Sequence, residues 1–168
     1  QFGADVILRA SHALSGGMDE LSGLVRGALN EITLRLCAEA GIESIDIYAA
    51  CAVGNSCMHH LLLGILPASL VRVPYNPAIS EALTLSAAEI ELNIHAGAPV
   101  LVLPVIAGFV GADTVACLLA GHWEALSQLT LLIDIGTNGE IVLGDHARRI
   151  ACSTAAGPAF EGAKISCG

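Results

Sequence analysis

The chain has 168 residues, 54 % of them apolar and 14 % charged, with a mean hydropathy of +0.70; intrinsic disorder, which needs low hydrophobicity and high charge, is excluded. Seven Lys+Arg stand against 16 Asp+Glu for a net charge of −9, and the single lysine is Lys164. Neither nucleic acid nor an anionic membrane surface is therefore an expected partner, and any phosphate bound here must be held mainly by backbone N–H groups and a metal ion.

Residues 1–15 read as the tail of a helix that Gly16-Gly17 breaks. Asp19, Glu20 and Ser22 open a second helix running to about Ala40. Leu21, Val25, Ala28, Leu29, Ile32 and Leu36 form its apolar stripe, and Gly41 is a natural C′ residue. Residues 44–50 alternate as a strand. Gly54-Asn55-Ser56 reads as a turn with a capping residue, ahead of a short helix from Cys57 to about Ile65. In the poorly patterned stretch 66–98, Pro67, Pro74 and Pro77 mark loop, while residues 84–93 are candidates for paired strands. Residues 96–112 lack any charge, but five prolines and glycines interrupt them and they fall short of the ~20 residues of a spanning helix. Their centre, 100–106, reads instead as a buried parallel strand.

An alanine-rich helix follows from Asp113 to about Gly121, and Trp123 anchors a short linker. Residues 129–134 form a second buried strand, 136–139 a turn, 140–143 a returning strand, Asp145-His146 another turn and 148–152 a third strand. Pro158 suits the first turn of a closing helix. Interleaved strands and helices make the class α/β, with an antiparallel meander at 129–152. None of the six cysteines forms a Cys-x-x-Cys pair, so they read as reduced, buried thiols of a cytoplasmic protein. The N-terminus has neither the charged n-region nor the apolar h-region of a secretory signal. It also lacks a Met, and both ends are expected to be cut.

The strongest chemical signal is Leu131-Leu-Ile-Asp-Ile-Gly-Thr-Asn-Gly-Glu-Ile-Val-Leu143. A strand delivers Asp134 to its end, and a glycine-containing turn follows whose N–H groups can form an anion-binding nest. Asp134 beside it can hold Mg²⁺ through water. The plain alternative is a hairpin in which Asn138-Gly139 merely makes a type I′ turn.

This segment resembles the second phosphate motif of the actin/hexokinase/heat-shock-chaperone ATPases. More narrowly, five stretches are similar to the ATP-dependent reductive activators of corrinoid proteins. They are Phe2-Gly-Ala-Asp-Val-Ile7, Val53-Gly-Asn-Ser-Cys-Met-His-His-Leu-Leu-Leu-Gly64, Ala107-Gly-Phe-Val-Gly-Ala-Asp113, the Asp134–Glu140 turn and Ser153-Thr-Ala-Ala-Gly-Pro-Ala-Phe-Glu-Gly162. The resemblance implies a partial actin-like ATPase (ribonuclease H-like) fold. Residues 1–126 would be the remainder of a first lobe with its connecting helix, and 127–168 the start of a second lobe. It also implies ATP and Mg²⁺ as cofactors, a corrinoid protein as partner, and an iron–sulfur cluster carried outside this chain; a homodimer is a separate expectation.

By the same resemblance, Asp134 holds Mg²⁺ through water, and Gly136, Thr137, Asn138 and Gly139 contact the β/γ-phosphates. Asp113 orients the attacking water, with a helix-dipole acid as its alternative role. Asn55 faces the cleft or, more simply, caps the next helix. Gly157 and Glu161 open a helix near the nucleotide or a plain packing turn. His59-His60 point too far apart on a helix to share one ion, and a surface or lobe-contact role is expected; Arg148-Arg149 are expected to be solvated. A small-molecule kinase of the same superfamily and a non-catalytic docking or dimerisation module are the competing functional readings.

Overall fold

The computed structural model describes residues 6–136 and 138–155. Helices α1 (Val6–His12) and α2 (Met18–Ala40) are joined by a wide turn over Ala13–Gly17. There Gly16 takes φ 100°, a left-handed conformation in which side chains are strained. As expected, α2 ends at Gly41, whose φ is 68° and whose N–H bonds the Cys37 and Ala38 carbonyls. Its apolar stripe is only partly covered. Leu21 is buried and Val25 packs with Ala10, Ala13, Cys57, Leu61 and Leu70, but Ile32 and Leu36 are 52 % and 59 % exposed. The helix packs on α3 (Ser56–Leu63) and on the turn after α1, which cover chiefly its first half.

Strands β1 (Ala50–Ala52), β2 (Leu83–Ser86) and β3 (Pro99–Val102) form the first sheet in the order β1-β3-β2, with β1 parallel and β2 antiparallel to β3. Of the expected strand over 44–50 only Ala50 lies in a strand, as the first residue of β1. Ser44–Asp46 is a single 3₁₀ turn, and the Asp46 carboxylate accepts the Glu43 N–H at 3.1 Å. Such local side-chain bonding competes with a strand ladder. The expected strand over 100–106 is shorter and one-sided: Val100 and Val102 are sealed, while Leu101 is 40 % exposed. Beyond Pro104 the chain turns back, with Ala107 and Val110 exchanging backbone bonds. Of residues 84–93 only the first few are extended, because a turn closed by Leu92 N–H on the Ala87 carbonyl follows. Ala87, Ile90, Ile94, Ala98 and Val100 fill the second core cluster. Among the described residues no helix is long and apolar enough to cross a membrane.

Helix α4 (Ala112–Ala120) leads through the buried Trp123 to the predicted meander. It consists of β4 (Thr130–Ile135), β5 (Asn138–Gly144) and β6 (Arg149–Ala155), all antiparallel. Arg149 is exposed, as expected, and it also ties the sheet to the linker, donating to the carbonyls of Asp145 at 3.0 Å and Trp123 at 3.1 Å. Strand β4 was expected to be buried, yet its alternation leaves Leu131, Ile133 and Ile135 in the open. The five described cysteines are free thiols. Cys37 and Cys57 are buried as expected, but Cys51, Cys117 and Cys152 are exposed on faces that nothing covers among the described residues.

Candidate functional site

The hairpin sets the first wall. Its register pairs Asp134 with Glu140 and Ile135 with Gly139, so three residues, 136–138, lie between the paired positions. Asn138 already belongs to β5, which means that a two-residue Asn138-Gly139 turn is not formed. The Gly136 N–H donates to the Asn138 carbonyl at 3.0 Å. On its other side Glu140 pairs with Ser153, whose hydroxyl donates to the Glu140 carboxylate at 3.0 Å. Since directly opposed residues share a face, Asp134, Glu140 and Ser153 form a row across three strands. Like charges so placed disfavour the pairing by roughly 0.2–1 kcal/mol. Partial burial, then the Asp113 and Asp134 charges, push the Glu140 carboxyl above its usual range, while the Ser153 hydroxyl works against the shift.

Two helix N-termini set the second wall. Asn55 precedes α3 and its Oδ1 accepts the Met58 N–H at 2.9 Å, the cap expected of it. Asp113, in the first turn of α4, accepts the Thr114 N–H at 2.9 Å. The two ends are fastened together. The Ala112 N–H bonds the Gly54 carbonyl at 2.9 Å, the Ser56 hydroxyl donates to the Ala107 carbonyl at 2.8 Å, and Gly111 lies so close that a Cβ there would come within 2.6 Å of Asn55 Cα. α1 contributes Val6 and Arg9, and the Arg9 Nη1 stands 3.2 Å from the Met58 thioether.

These walls enclose a cleft of about 240 Å³ lined by Val6, Arg9, Asn55, Asp113, Asp134, Gly136, Asn138 and Glu140. Five residues singled out from sequence thus meet there: Asn55, Asp113, Asp134, Gly136 and Asn138. Gly139 sits beside them, buried in β5 and outside the lining. Thr137, Gly157 and Glu161 lie outside the described residues. Arg9 and Glu140 were missed. Strand arithmetic reveals Glu140, since a hairpin closing over 136–138 must oppose it to Asp134. Nothing local reveals Arg9, which depends on how α1 crosses α3.

His59 and His60, for which a pH-insensitive surface or lobe-contact role was expected, are buried, so the surface role does not hold. His60 Nδ1 donates to the Ser56 carbonyl at 2.6 Å and its Nε2 accepts the Ala78 N–H at 2.9 Å. That pattern fixes a neutral ring, and burial lowers its pKa from the usual value. Burial first, then the neighbouring His60, lowers the pKa of His59 as well; neither of its nitrogens reaches a hydrogen-bond partner at good geometry, the Leu103 carbonyl being the backbone group that acts on it.

Comparison with known proteins gives consistent matches. A family model described as the RACo middle region matches residues 1–124, and one described as the C-terminal domain of RACo, the ASKHA domain, matches 128–168. The chain is 37 % identical over 169 residues to the corrinoid activation enzyme RamQ of Eubacterium limosum, covering 99 % of this chain and 28 % of that protein. Over 69 residues it is 41 % identical to the Co(II) methylated amine-specific corrinoid protein reductase of Methanosarcina barkeri, covering 41 % of this chain and 13 % of that one. A solved structure titled reductive activator for corrinoid,iron-sulfur protein superposes with a TM-score of 0.90 at 37 % identity, over 97 % of this chain and 26 % of that one. The chain therefore spans 28 % of the first of these relatives and 26 % of the solved structure. Mixed α/β with two small sheets, its fold is a portion of the actin-like ATPase architecture, and the chain belongs to the RACo family, reaching from the middle region into the C-terminal ASKHA domain.

Proposed function

We propose that the chain is the nucleotide-handling part of an ATP-driven reductive activator of a corrinoid protein. The observation that carries this reading is the convergence of Asn55, Asp113, Asp134, Gly136 and Asn138, drawn from three separated segments, on one cleft. Its size, about 240 Å³, lies below the roughly 300–1,000 Å³ typical of sites for whole drug-sized ligands, which suits the phosphate end of a nucleotide. Carboxylate and amide oxygens are hard donors that fit Mg²⁺. Among the described residues no three His, Cys, Asp or Glu side chains stand close enough to hold a metal by themselves. That is compatible with an ion that keeps its waters and takes phosphate oxygens as ligands.

In this reading Asp134 holds Mg²⁺ through water, and the backbone N–H groups of Gly136, Thr137, Asn138 and Gly139 hold the β/γ-phosphates. Asn55 contributes its amide, Asp113 orients the attacking water, and Gly157 and Glu161 approach the nucleotide from the second lobe. The lobes divide near residue 126, with α4 connecting them. ATP binding and hydrolysis favour different arrangements of the lobes and so bias the partner, as differential affinity requires. The relatives are named for corrinoid proteins; the corresponding reaction is reduction of an inactive cobalt centre by electrons from an iron–sulfur domain outside these residues, in the cytoplasm, with a second copy of the chain as a further partner.

The test uses the full-length polypeptide with Mg·ATP and a corrinoid protein. The cobalt absorbance is expected to change only when ATP and reductant are both present. Asp134→Ala is expected to weaken Mg·ATP binding by about 10–100-fold, the usual cost of losing an outer-shell metal partner. Binding unaffected by that substitution would overturn the phosphate role, and absence of any ATP-dependent cobalt change would overturn the activator role.

A further inference from the structure

We infer that Arg9 is a catalytic residue of this cleft, its guanidinium binding the terminal phosphate of Mg·ATP and stabilising the charge that builds there during hydrolysis. The inference rests on the nucleotide reading above. Three carboxylates line the cleft, Asp113, Asp134 and Glu140, and among the described residues Arg9 is the only Lys or Arg that lines it. A bound triphosphate adds further negative charge, and Mg²⁺ offsets only two units of it. Like charges within a few ångströms in a partly desolvated cleft repel strongly, so the anion needs a second cation. Arginine suits the task, because its charge is fixed and its forked donors match phosphate oxygens.

Position agrees with chemistry. α1 carries the guanidinium to the first turn of α3, with Nη1 3.2 Å from Met58 Sδ, one turn from the cap Asn55, which also lines the cleft. Arg9 thus belongs to the wall built by α1 and α3, whereas Asp134, Gly136 and Asn138 belong to the hairpin. A thioether is a weak acceptor, so a phosphate oxygen is the stronger partner for Nη1. In the step it serves, the oxygen of water bonds to the γ-phosphorus as the bond to the β–γ bridging oxygen breaks, leaving its electron pair on ADP. One proton of the water stays on the inorganic phosphate and the other is released to solvent. Arg9 forms no covalent bond; it neutralises the equatorial oxygens as charge accumulates on them.

The experiment measures ATP turnover and Mg·ATP binding in the full-length polypeptide carrying Arg9→Ala or Arg9→Lys, beside Asp134→Ala. Arg9→Ala is expected to lower kcat by about 10³-fold, the smaller end of what such arginines supply, with KM for Mg·ATP moved less than about threefold and partial recovery of turnover on adding guanidinium ion. Arg9→Lys, which keeps the aliphatic stem and the charge, is expected to lose at least about tenfold in kcat because it cannot fork across two oxygens; it decides the matter if Arg9→Ala does not fold. Wild-type kcat in either folded variant overturns the Arg9 role while leaving the nucleotide reading intact. A wild-type protein that neither binds nor hydrolyses Mg·ATP overturns both.

Discussion

In the proposed function Asn55 carries two roles on one side chain. Its Oδ1 caps α3 through the Met58 N–H, while the residue lines the cleft, where its amide N–H groups are the natural donors to an anion. Asn55→Asp separates the roles. An aspartate caps a helix as well as an asparagine does, so the melting temperature is expected to hold. The same change replaces donors by a negative charge among three carboxylates, and a lost hydrogen bond to a charged group is worth about 1.5–3 kcal/mol. Mg·ATP affinity is therefore expected to fall by roughly 10–100-fold, read by isothermal titration. Equal losses of stability and affinity would make the cap the whole story. The capping role was legible because its signal is local, a turn residue ahead of a helix. The burial of His60 was not, because it depends on the Ala78 N–H arriving from 18 residues away.

The helix ends position the site as units. α3 and α4 begin side by side because the Gly54 carbonyl receives the Ala112 N–H and because Gly111 has no Cβ to keep them apart. A methyl there would stand 2.6 Å from Asn55 Cα and from the Asp113 carboxylate, and 2.7 Å from the Gly54 carbonyl oxygen. Two of these neighbours are backbone and cannot swing away, so Gly111→Ala must push the two ends apart. A cost of about 1–3 kcal/mol is expected from the overpacking. Nucleotide affinity should fall with it, since Asn55 and Asp113 part company, whereas Gly23→Ala in the interior of α2, where a Cβ meets nothing within 4 Å, should raise stability by about 0.5–1 kcal/mol and leave affinity unchanged. Thermal denaturation and titration of the two variants check this. At this scale the sequence was readable where boundaries are marked locally: Gly41 ending α2, Asn55 opening α3, the alternation of the β4–β6 meander. It misled at 44–50, where Ile45 and Ile47 alternate like a strand but Asp46 bonds back to Glu43. Periodicity names the apolar face of an element without saying what covers it, which is why 129–134 reads as a buried strand and why nothing marks the second half of the α2 stripe as open.

That distinction matters most for the whole molecule. In the second sheet the row of Asp134, Glu140 and Ser153 lies on one face, and the opposite face is apolar. There the register sets Leu131 against Leu143 and Leu143 against Ile150, and Leu131, Ile133, Ile135, Leu143 and Ile150 are between 44 % and 82 % exposed. A contiguous apolar patch of this kind is rare on a protein that works alone. The chain spans 28 % of the length of the first relative above, so residues outside the described ones or a second copy are the expected cover. Replacing Ile133 and Ile135 together by Thr keeps β-branched strand formers while making the face polar, and the sign of the effect depends on context. In the isolated 168-residue polypeptide, self-association measured by sedimentation velocity is expected to decrease. In the full-length polypeptide the same pair is expected to cost stability, about 1–3 kcal/mol for each isoleucine that loses buried contact, seen as a lower melting temperature. Conversion of a full-length dimer to monomers by the double substitution would assign the face to the second copy, and a melting loss without dissociation would assign it to the chain's own continuation. An unchanged melting temperature together with an unchanged oligomeric state would mean that this face stays open to solvent in the working protein.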